Sequence, residues 1–283
     1  MITLLLTVFL LFLTAIWIYN THTIRMERIR IKADGKAPVI MVHISDLHGK
    51  STFLNGRLSK LINRVNPDVV CVTGDLANRR SQLTKVLAEL RNIRCSHQLF
   101  VPGNYEREEW LGWKKNRLTE QEYRHTINRL KEHITVLEND CCMMEINGRR
   151  IRVHGLDNSI YGNERLNPAC METHGDFTLV MAHSPAIVHV LQEHKLDYQL
   201  LLAGHTHGGQ IRLGNATFGA YKHYHTGMKL LNGKPVYINR GIGTAKIPVR
   251  FNCFPEITII TLERAGDSKG FSARDKMLNK SKA

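Results

Sequence analysis

The chain has 283 residues, enough for one large domain or two small ones with a substantial core. Thirty-nine Lys and Arg against 25 Asp and Glu leave a net charge of +14, which favours an anionic partner such as a phosphate ester, nucleic acid or acidic lipid without choosing among them. Cys71, Cys95, Cys141, Cys142, Cys170 and Cys253 include no C-x-x-C pair, which argues against a cysteine zinc site, and they read as free packing thiols in a reducing compartment.

Residues 2–19 are apolar and uncharged, about the ~18–20 residues a helix needs to cross a bilayer. No basic side chain precedes them and no clear Ala-x-Ala site follows, so an anchor fits better than a cleaved signal. Arg25, Arg28, Arg30, Lys32 and Lys36 come next, opposed only by Glu27 and Asp34, and this excess places the remainder on the cytoplasmic side, beside anionic headgroups. The expected layout is an anchor over 1–20, a basic juxtamembrane segment over 21–37, a catalytic domain over 38–263 and a basic, disordered tail over 264–283.

Within the domain, residues 39–44 form an apolar run that ends at Ser45-Asp46-Leu47-His48-Gly49. Leu58, Leu61, Ile62 and Val65 then mark one face of a helix, broken by Asn66-Pro67-Asp68. A second strand over 69–72 runs into Thr73-Gly74-Asp75, helical spacing returns at Leu83, Val86, Leu87 and Leu90, and a third strand over 98–101 stops at Pro102-Gly103-Asn104-Tyr105-Glu106. Strand, polar loop and helix in alternation imply βαβ units, whose sites form at the carboxyl ends of the strands. Residues 107–133, with Trp110 and Trp113 near their start, are charged and read as helical, either a lip over the site or a surface helix. Short strands follow over 134–137, 142–146, 150–154, 177–182, 200–203, 236–239 and 256–262, with Asn147-Gly148 as a hairpin turn. Both halves contribute strands and no linker divides them, so the pattern predicts an α/β two-sheet sandwich flanked by helices.

The residues just after these strands are Asp46 and His48, Asp75, Asn104, His183, and the pair His205 and His207 in Gly204-His205-Thr206-His207-Gly208. Carboxylate, amide and imidazole suit Mn, Fe or Zn, and the set is too large for one ion. Two ions ~3.5–4 Å apart, bridged by a carboxylate, deprotonate a water between them and clamp a phosphate during in-line attack. Taken singly, Asp46 and Asp75 suit helix N-caps, Asn104 suits a turn, and the histidines suit exposed loops. Their common placement favours one site. Arg240 and Arg250 lie near strand ends and are candidates to bind substrate phosphate, with a surface role as the alternative. His223-Tyr224-His225 is a further loop candidate for the pocket.

In this order, Asp46-Leu47-His48, Gly74-Asp75, Gly103-Asn104, Ala182-His183 and Gly204-His205-Thr206-His207 resemble the five signature blocks of the calcineurin-like metallophosphoesterase superfamily. Gly204–Gln210, Asn239–Gly243 and Pro255-Glu256-Ile257 look like its membrane-anchored bacterial branch of YkuE-like and YaeI-like enzymes. The resemblance implies an αββα sandwich and a dinuclear site, with Asp46, His48 and His207 on one ion, Asn104, His183 and His205 on the other, and Asp75 bridging. It implies a membrane-anchored phosphohydrolase that cleaves a phosphoester or pyrophosphate by attack of metal-bridging hydroxide, and the anchor and the basic surface point to a lipid-linked substrate. Tyr105 stands where the family usually carries a catalytic histidine; a phenol donates a hydrogen bond but carries no positive charge at neutral pH. The expectation is that the metals and nearby cations such as Arg107 carry more of the work, or that the esters cleaved have leaving groups that need little protonation. The alternatives are a nuclease or nucleotide phosphodiesterase drawn to its substrate by charge, and an impaired site serving as a membrane scaffold.

Overall fold

The strands Val39–Ile44, Val69–Thr73, His97–Val101, Phe177–Met181 and Leu200–Ala203 are buried on both faces, and their alternate side chains enter different cores. Met41, Cys71, Leu99, Val101, Leu179, Met181, Leu200 and Leu202 meet in a central layer between two sheets. Val42, Ile44, Val70, Val72 and Phe100 face the opposite way, onto the helices Leu58–Asn63, Arg80–Arg91 and Glu120–Lys131. Val180 and Leu201 likewise meet Val188 and Leu191 of the helix Val188–Glu193. The result is the expected αββα sandwich, seen here in a computed structural model that describes residues 1–35, 37–171, 175–213, 216–217 and 226–264. His223, Tyr224, His225 and the tail beyond Arg264 lie outside the described residues.

The first sheet runs Arg25–Lys32, Glu256–Glu263, Val39–Ile44, Val69–Thr73, His97–Val101, Thr135–Val136. The second runs Asp140–Ile146, Arg149–Gly155, Phe177–Met181, Leu200–Ala203, Lys234–Ile238, Gly227–Leu231. Pairing is parallel from Val39–Ile44 through His97–Val101 and from Arg149–Gly155 through Lys234–Ile238. Parallel strands end on the same side, so their loops gather along one rim of the sandwich.

Three expectations change. Arg25–Lys32, read as a basic membrane-flanking segment, is an edge strand paired in parallel with Glu256–Glu263. Its Ile29 and Ile31 pack against the central layer while the charged residues between them face outward, and that charge masked the alternation. Residues 107–133 are not one helix: Glu108–Leu111 and Lys114–Arg117 form a hairpin turning at Gly112, whose φ of 61° is open to glycine, and only Glu120–Lys131 is helical, started by a Thr119/Glu122 capping box. Finally, Cys141 and Cys170 are a disulfide with Cα atoms 5.8 Å apart, while Cys71, Cys95, Cys142 and Cys253 are free. The partners lie 29 residues apart, Cys141 in the strand Asp140–Ile146 and Cys170 at the end of a short 3-10 turn, Pro168–Cys170, a spacing without local signature.

The N-terminal helix, Ile2–His22, is long and apolar enough to cross a membrane. It leaves its apolar side chains exposed until the last turn, where Asn20 and Thr21 become buried against the domain.

Candidate metal centre

Every ligand-type residue singled out in the sequence lies on the common rim. Asp46 and His48 follow Val39–Ile44, Asp75 follows Val69–Thr73, Asn104 follows His97–Val101, His183 follows Phe177–Met181, and His205 and His207 follow Leu200–Ala203. Asp46 (φ 52°), His48 (48°), Asp75 (58°), His205 (68°) and His207 (51°) all adopt the left-handed backbone region. Each such residue costs about 1–3 kcal/mol, a cost that concentrates at functional sites. Gly204 is obligatory for this packing, because a Cβ there would collide with Ser45 Oγ on the Asp46 loop.

Two clusters result, and they share one carboxylate. In the first, His207 Nε2 lies 3.1 Å from His48 Nε2 and 3.2 Å from Asp46 Oδ1, and His48 Nε2 lies 3.7 Å from Asp75 Oδ2. In the second, His183 Nε2 lies 3.3 Å from the same Asp75 Oδ2, 3.2 Å from Asn104 Oδ1 and 3.1 Å from His205 Nδ1. The Asp46, His48, Asp75 and His207 ligand atoms, and those of Asp75, His183 and His205, each fall within 4.8 Å of one another.

Neighbouring groups fix which atoms face inward. His48 Nδ1 donates to Asn78 Oδ1 (2.7 Å) and His183 Nδ1 donates to the Thr73 carbonyl (2.7 Å), so in both rings Nε2 is the nitrogen that faces the centre. Asp46 Oδ2 accepts from Ser45 Oγ (2.6 Å) and His205 N (3.0 Å), while its buried Oδ1 has no hydrogen-bond partner. Asp75 Oδ1 accepts from Tyr105 N at 2.8 Å, leaving Oδ2 between the clusters. Lone pairs of nitrogen and oxygen converging on two adjacent points, one of them on an orphaned buried carboxylate oxygen, are the donor set of two divalent cations.

Electrostatics agree. Burial pushes the Asp46 and Asp75 carboxyls up, but the surrounding imidazoles, His207 first for Asp46 and His183 first for Asp75, outweigh it and hold both below the usual range. His183 is the converse: burial opposes its charge, yet Asp75 raises it to about 10. Buried carboxylates at this centre demand positive charge. His48 and His205 are depressed to about 4, by burial first and then by the neighbouring imidazole, and are neutral ligands at physiological pH.

The residues proposed for substrate fare differently. Arg250 is wholly buried, its guanidinium donating to the carbonyls of Gly243 (2.6 and 2.9 Å), Arg240 (2.8 Å) and Gly241 (3.2 Å). Arg240 pairs with Glu27 on the edge strand (2.6 Å) and with Glu256 (2.7 Å). With these partners both brace the loops behind His207. Arg107 is committed to Asp157 (2.6 Å) and Glu138 (3.3 Å) and stacks on Tyr123. Tyr105 lies at the centre: its ring stands edge-on to His48 at 4.7 Å and its hydroxyl accepts from Trp110 Nε1 at 2.8 Å. Burial raises the phenol above its ordinary range, so it stays neutral.

Sequence reasoning missed Glu108 and Lys115, both on the hairpin taken for helix. Glu108 accepts from Asn104 Nδ2 (2.8 Å) and Tyr161 OH (2.8 Å), aiming Asn104 Oδ1 at the second cluster, and it ion-pairs with Lys115. The Lys115 ammonium sits over the Tyr105 ring, 4.4 Å from its centroid. Replacing Glu108 by Ala frees the Asn104 amide to rotate. Metal titration is expected to show affinity at one of two sites weakened about 10–100-fold, with the other unchanged.

Comparison with known proteins matches this arrangement. The Bacillus subtilis protein YpbG is 28% identical over 248 residues, covering 86% of each chain. The Escherichia coli phosphodiesterase YaeI is 27% identical over 248 residues, 83% of this chain and 86% of its own. Among solved structures, the phosphopantetheinyl hydrolase of Mycobacterium tuberculosis superposes with a TM-score of 0.46 at 14% identity, covering 71% of this chain and 89% of that one. The family described as Calcineurin-like phosphoesterase matches residues 41–209, the span from the first ligand strand through the His205/His207 loop, and the chain belongs to that family.

Proposed function

We infer that the protein is a membrane-anchored, dinuclear metal-dependent phosphodiesterase, with Asp46, His48 and His207 on one cation, Asn104, His183 and His205 on the other, and Asp75 between them. The observation that carries this reading is Asp75 Oδ2, which lies within 4 Å of a ring nitrogen from each cluster. When bound, two divalent cations supply Lewis acidity toward a phosphoryl oxygen and a nucleophile at neutral pH. The chain's own groups hold this chemistry in place. Tyr105 anchors Asp75 through its N–H and sets its ring edge-on to His48, and its hydroxyl, which accepts from Trp110 Nε1, keeps a proton it can donate. Lys115, paired with Glu108 and seated over the Tyr105 ring, puts a positive charge beside the residue that replaces the family's histidine. The diester preference is supported by the activity in the name of YaeI, a relative of similar length.

The full chain in detergent is expected to hydrolyse bis-p-nitrophenyl phosphate with Mn²⁺ and to lose that activity on chelation. In the same assay Tyr105→Phe is expected to lower kcat by about tenfold. No hydrolysis with Mn²⁺, Fe²⁺ or Zn²⁺ would sink the reading. The basic residues after the helix favour a cytoplasmic catalytic domain, whereas the Cys141–Cys170 bridge is of a kind that persists in oxidising compartments. We retain the cytoplasmic side. A carboxyl-terminal alkaline phosphatase fusion that is active in cells would overturn it.

A further inference from the structure

The N-terminal helix is not a detached tether. Leu54 N donates to the His22 carbonyl at 2.7 Å, Arg250 N donates to Thr21 Oγ1 at 2.9 Å, and Phe254 packs edge-on against Tyr19 at 5.6 Å. Further back, Trp17 Nε1 donates to the Pro248 carbonyl at 3.4 Å. Trp17 precedes the helix end by enough residues to lie ~7–8 Å deeper along the axis. The loop at Pro248 therefore runs alongside the helix past its end. If Ile2–His22 spans the bilayer, that loop stands at the depth of the headgroup and acyl boundary, where interfacial elements bury their apolar side chains ~5–10 Å.

The side chains on this loop fit the depth. Ile247 is 54% exposed and Phe251 39%, and Ile211, 37% exposed, lies beside Phe251 through an isolated strand bridge. At the helix end itself, Leu54, bonded to the His22 carbonyl, is 64% exposed. Single exposed apolar residues need no explanation, but these come from three chain segments that meet at the end of one apolar helix. Lys246, also exposed, sits next to Ile247 and has the reach to meet a lipid phosphate while its stem stays apolar.

The same loop is fastened to the metal centre. Gln210, three residues after His207, donates to the Ile247 carbonyl at 2.7 Å and accepts from Ala245 N at 3.0 Å. Arg250 joins the Gly243 and His207 carbonyls. We propose that Ile211, Ile247 and Phe251, with Leu54 at the helix end, form a rim that enters the surface of a phospholipid bilayer beside the helix, holding the His205/His207 loop at the headgroup plane so that the site takes phosphodiesters carried by membrane lipid. The substrate part rests on the phosphodiesterase reading above; the bilayer contact does not.

The test uses the full chain in vesicles of phosphatidylethanolamine and phosphatidylglycerol. An Ile247→Trp variant adds an indole to the native Trp17, Trp110 and Trp113, and its added fluorescence is compared with the parent's. Blue-shifted added emission, quenched by about half or more with acyl-brominated lipid, is expected. Water-like emission untouched by the bromine would overturn the rim whatever the enzyme does. The double variant Ile247→Glu/Phe251→Glu is expected to cleave vesicle-borne p-nitrophenyl phosphatidyl ester about tenfold more slowly, with hydrolysis of soluble bis-p-nitrophenyl phosphate unchanged. Equal rates on the vesicle substrate would overturn the lipid assignment. A parent inactive on both esters would instead count against the phosphodiesterase reading and leave the quenching result intact.

Discussion

Asp75→Asn is expected to abolish hydrolysis, lowering kcat by about a thousandfold or more, and to halve or eliminate bound metal while the fold persists. The substitution keeps the shape of the side chain, and the Asn oxygen still accepts from Tyr105 N, so the Gly103–Tyr105 turn keeps its anchor. What disappears is the charge between two clusters whose other buried carboxylate is Asp46. The protonation pattern shifts as well. His183 is held at about 10 by Asp75 against its burial, and without that carboxylate it is lowered, with Asp46 and the Thr73 carbonyl still opposing the burial. Elemental analysis of the purified variant, with circular dichroism as a check on folding, reads the outcome. Retained activity and two equivalents of metal would show that Asp75 does not bridge, and would favour a scaffold or a mononuclear centre.

The legibility of this site in the sequence has a physical basis. A residue that ends a parallel strand buried on both faces has little freedom in where it points, so Asp46, Asp75, Asn104, His183, His205 and His207 were placed together by strand order alone. The core was legible for the same reason, as apolar runs of strand length bounded by Gly, Pro and Asn. Groups acting through other groups were not. Glu108 looks like any acid in a charged stretch, and only the hairpin that reverses at Gly112 brings it to Asn104 and sets Lys115 over Tyr105. Charge misled in a second way. Arg25–Lys32 carries the basic excess of a membrane flank, yet its backbone completes the sheet edge, because pairing with Glu256–Glu263 depends on peptide groups and on Ile29 and Ile31. The Cys141–Cys170 pair needs the tertiary fold to bring its ends together and has no counterpart in local pattern.

Arg250 separates a structural cation from a substrate-binding one, and its replacement is expected to act on folding. Beyond Gly243, Arg240 and Gly241, its guanidinium reaches the carbonyls of His207 and Cys253, both at 3.4 Å. Arg250→Leu leaves several buried carbonyls without donors. At about 1–3 kcal/mol for each unsatisfied group, partly relieved by relaxation, the loss is ~3 kcal/mol or more and the apparent Tm falls by roughly 6–12 °C. Arg250→Lys recovers only part of this, since a single ammonium cannot span carbonyls that the planar fork reaches at once. The carbonyl of His207 loses one donor and keeps Gln210 N at 3.0 Å, so its loop is loosened and metal affinity falls with stability. A substrate-binding arginine would behave otherwise: KM would rise in a protein of unchanged Tm and full metal content. Thermal unfolding, metal analysis and steady-state kinetics on Arg250→Leu and Arg250→Lys therefore decide the role. The expected pattern is lowered Tm and metal content in both, milder in Lys, with KM for bis-p-nitrophenyl phosphate unchanged in the metal-loaded fraction.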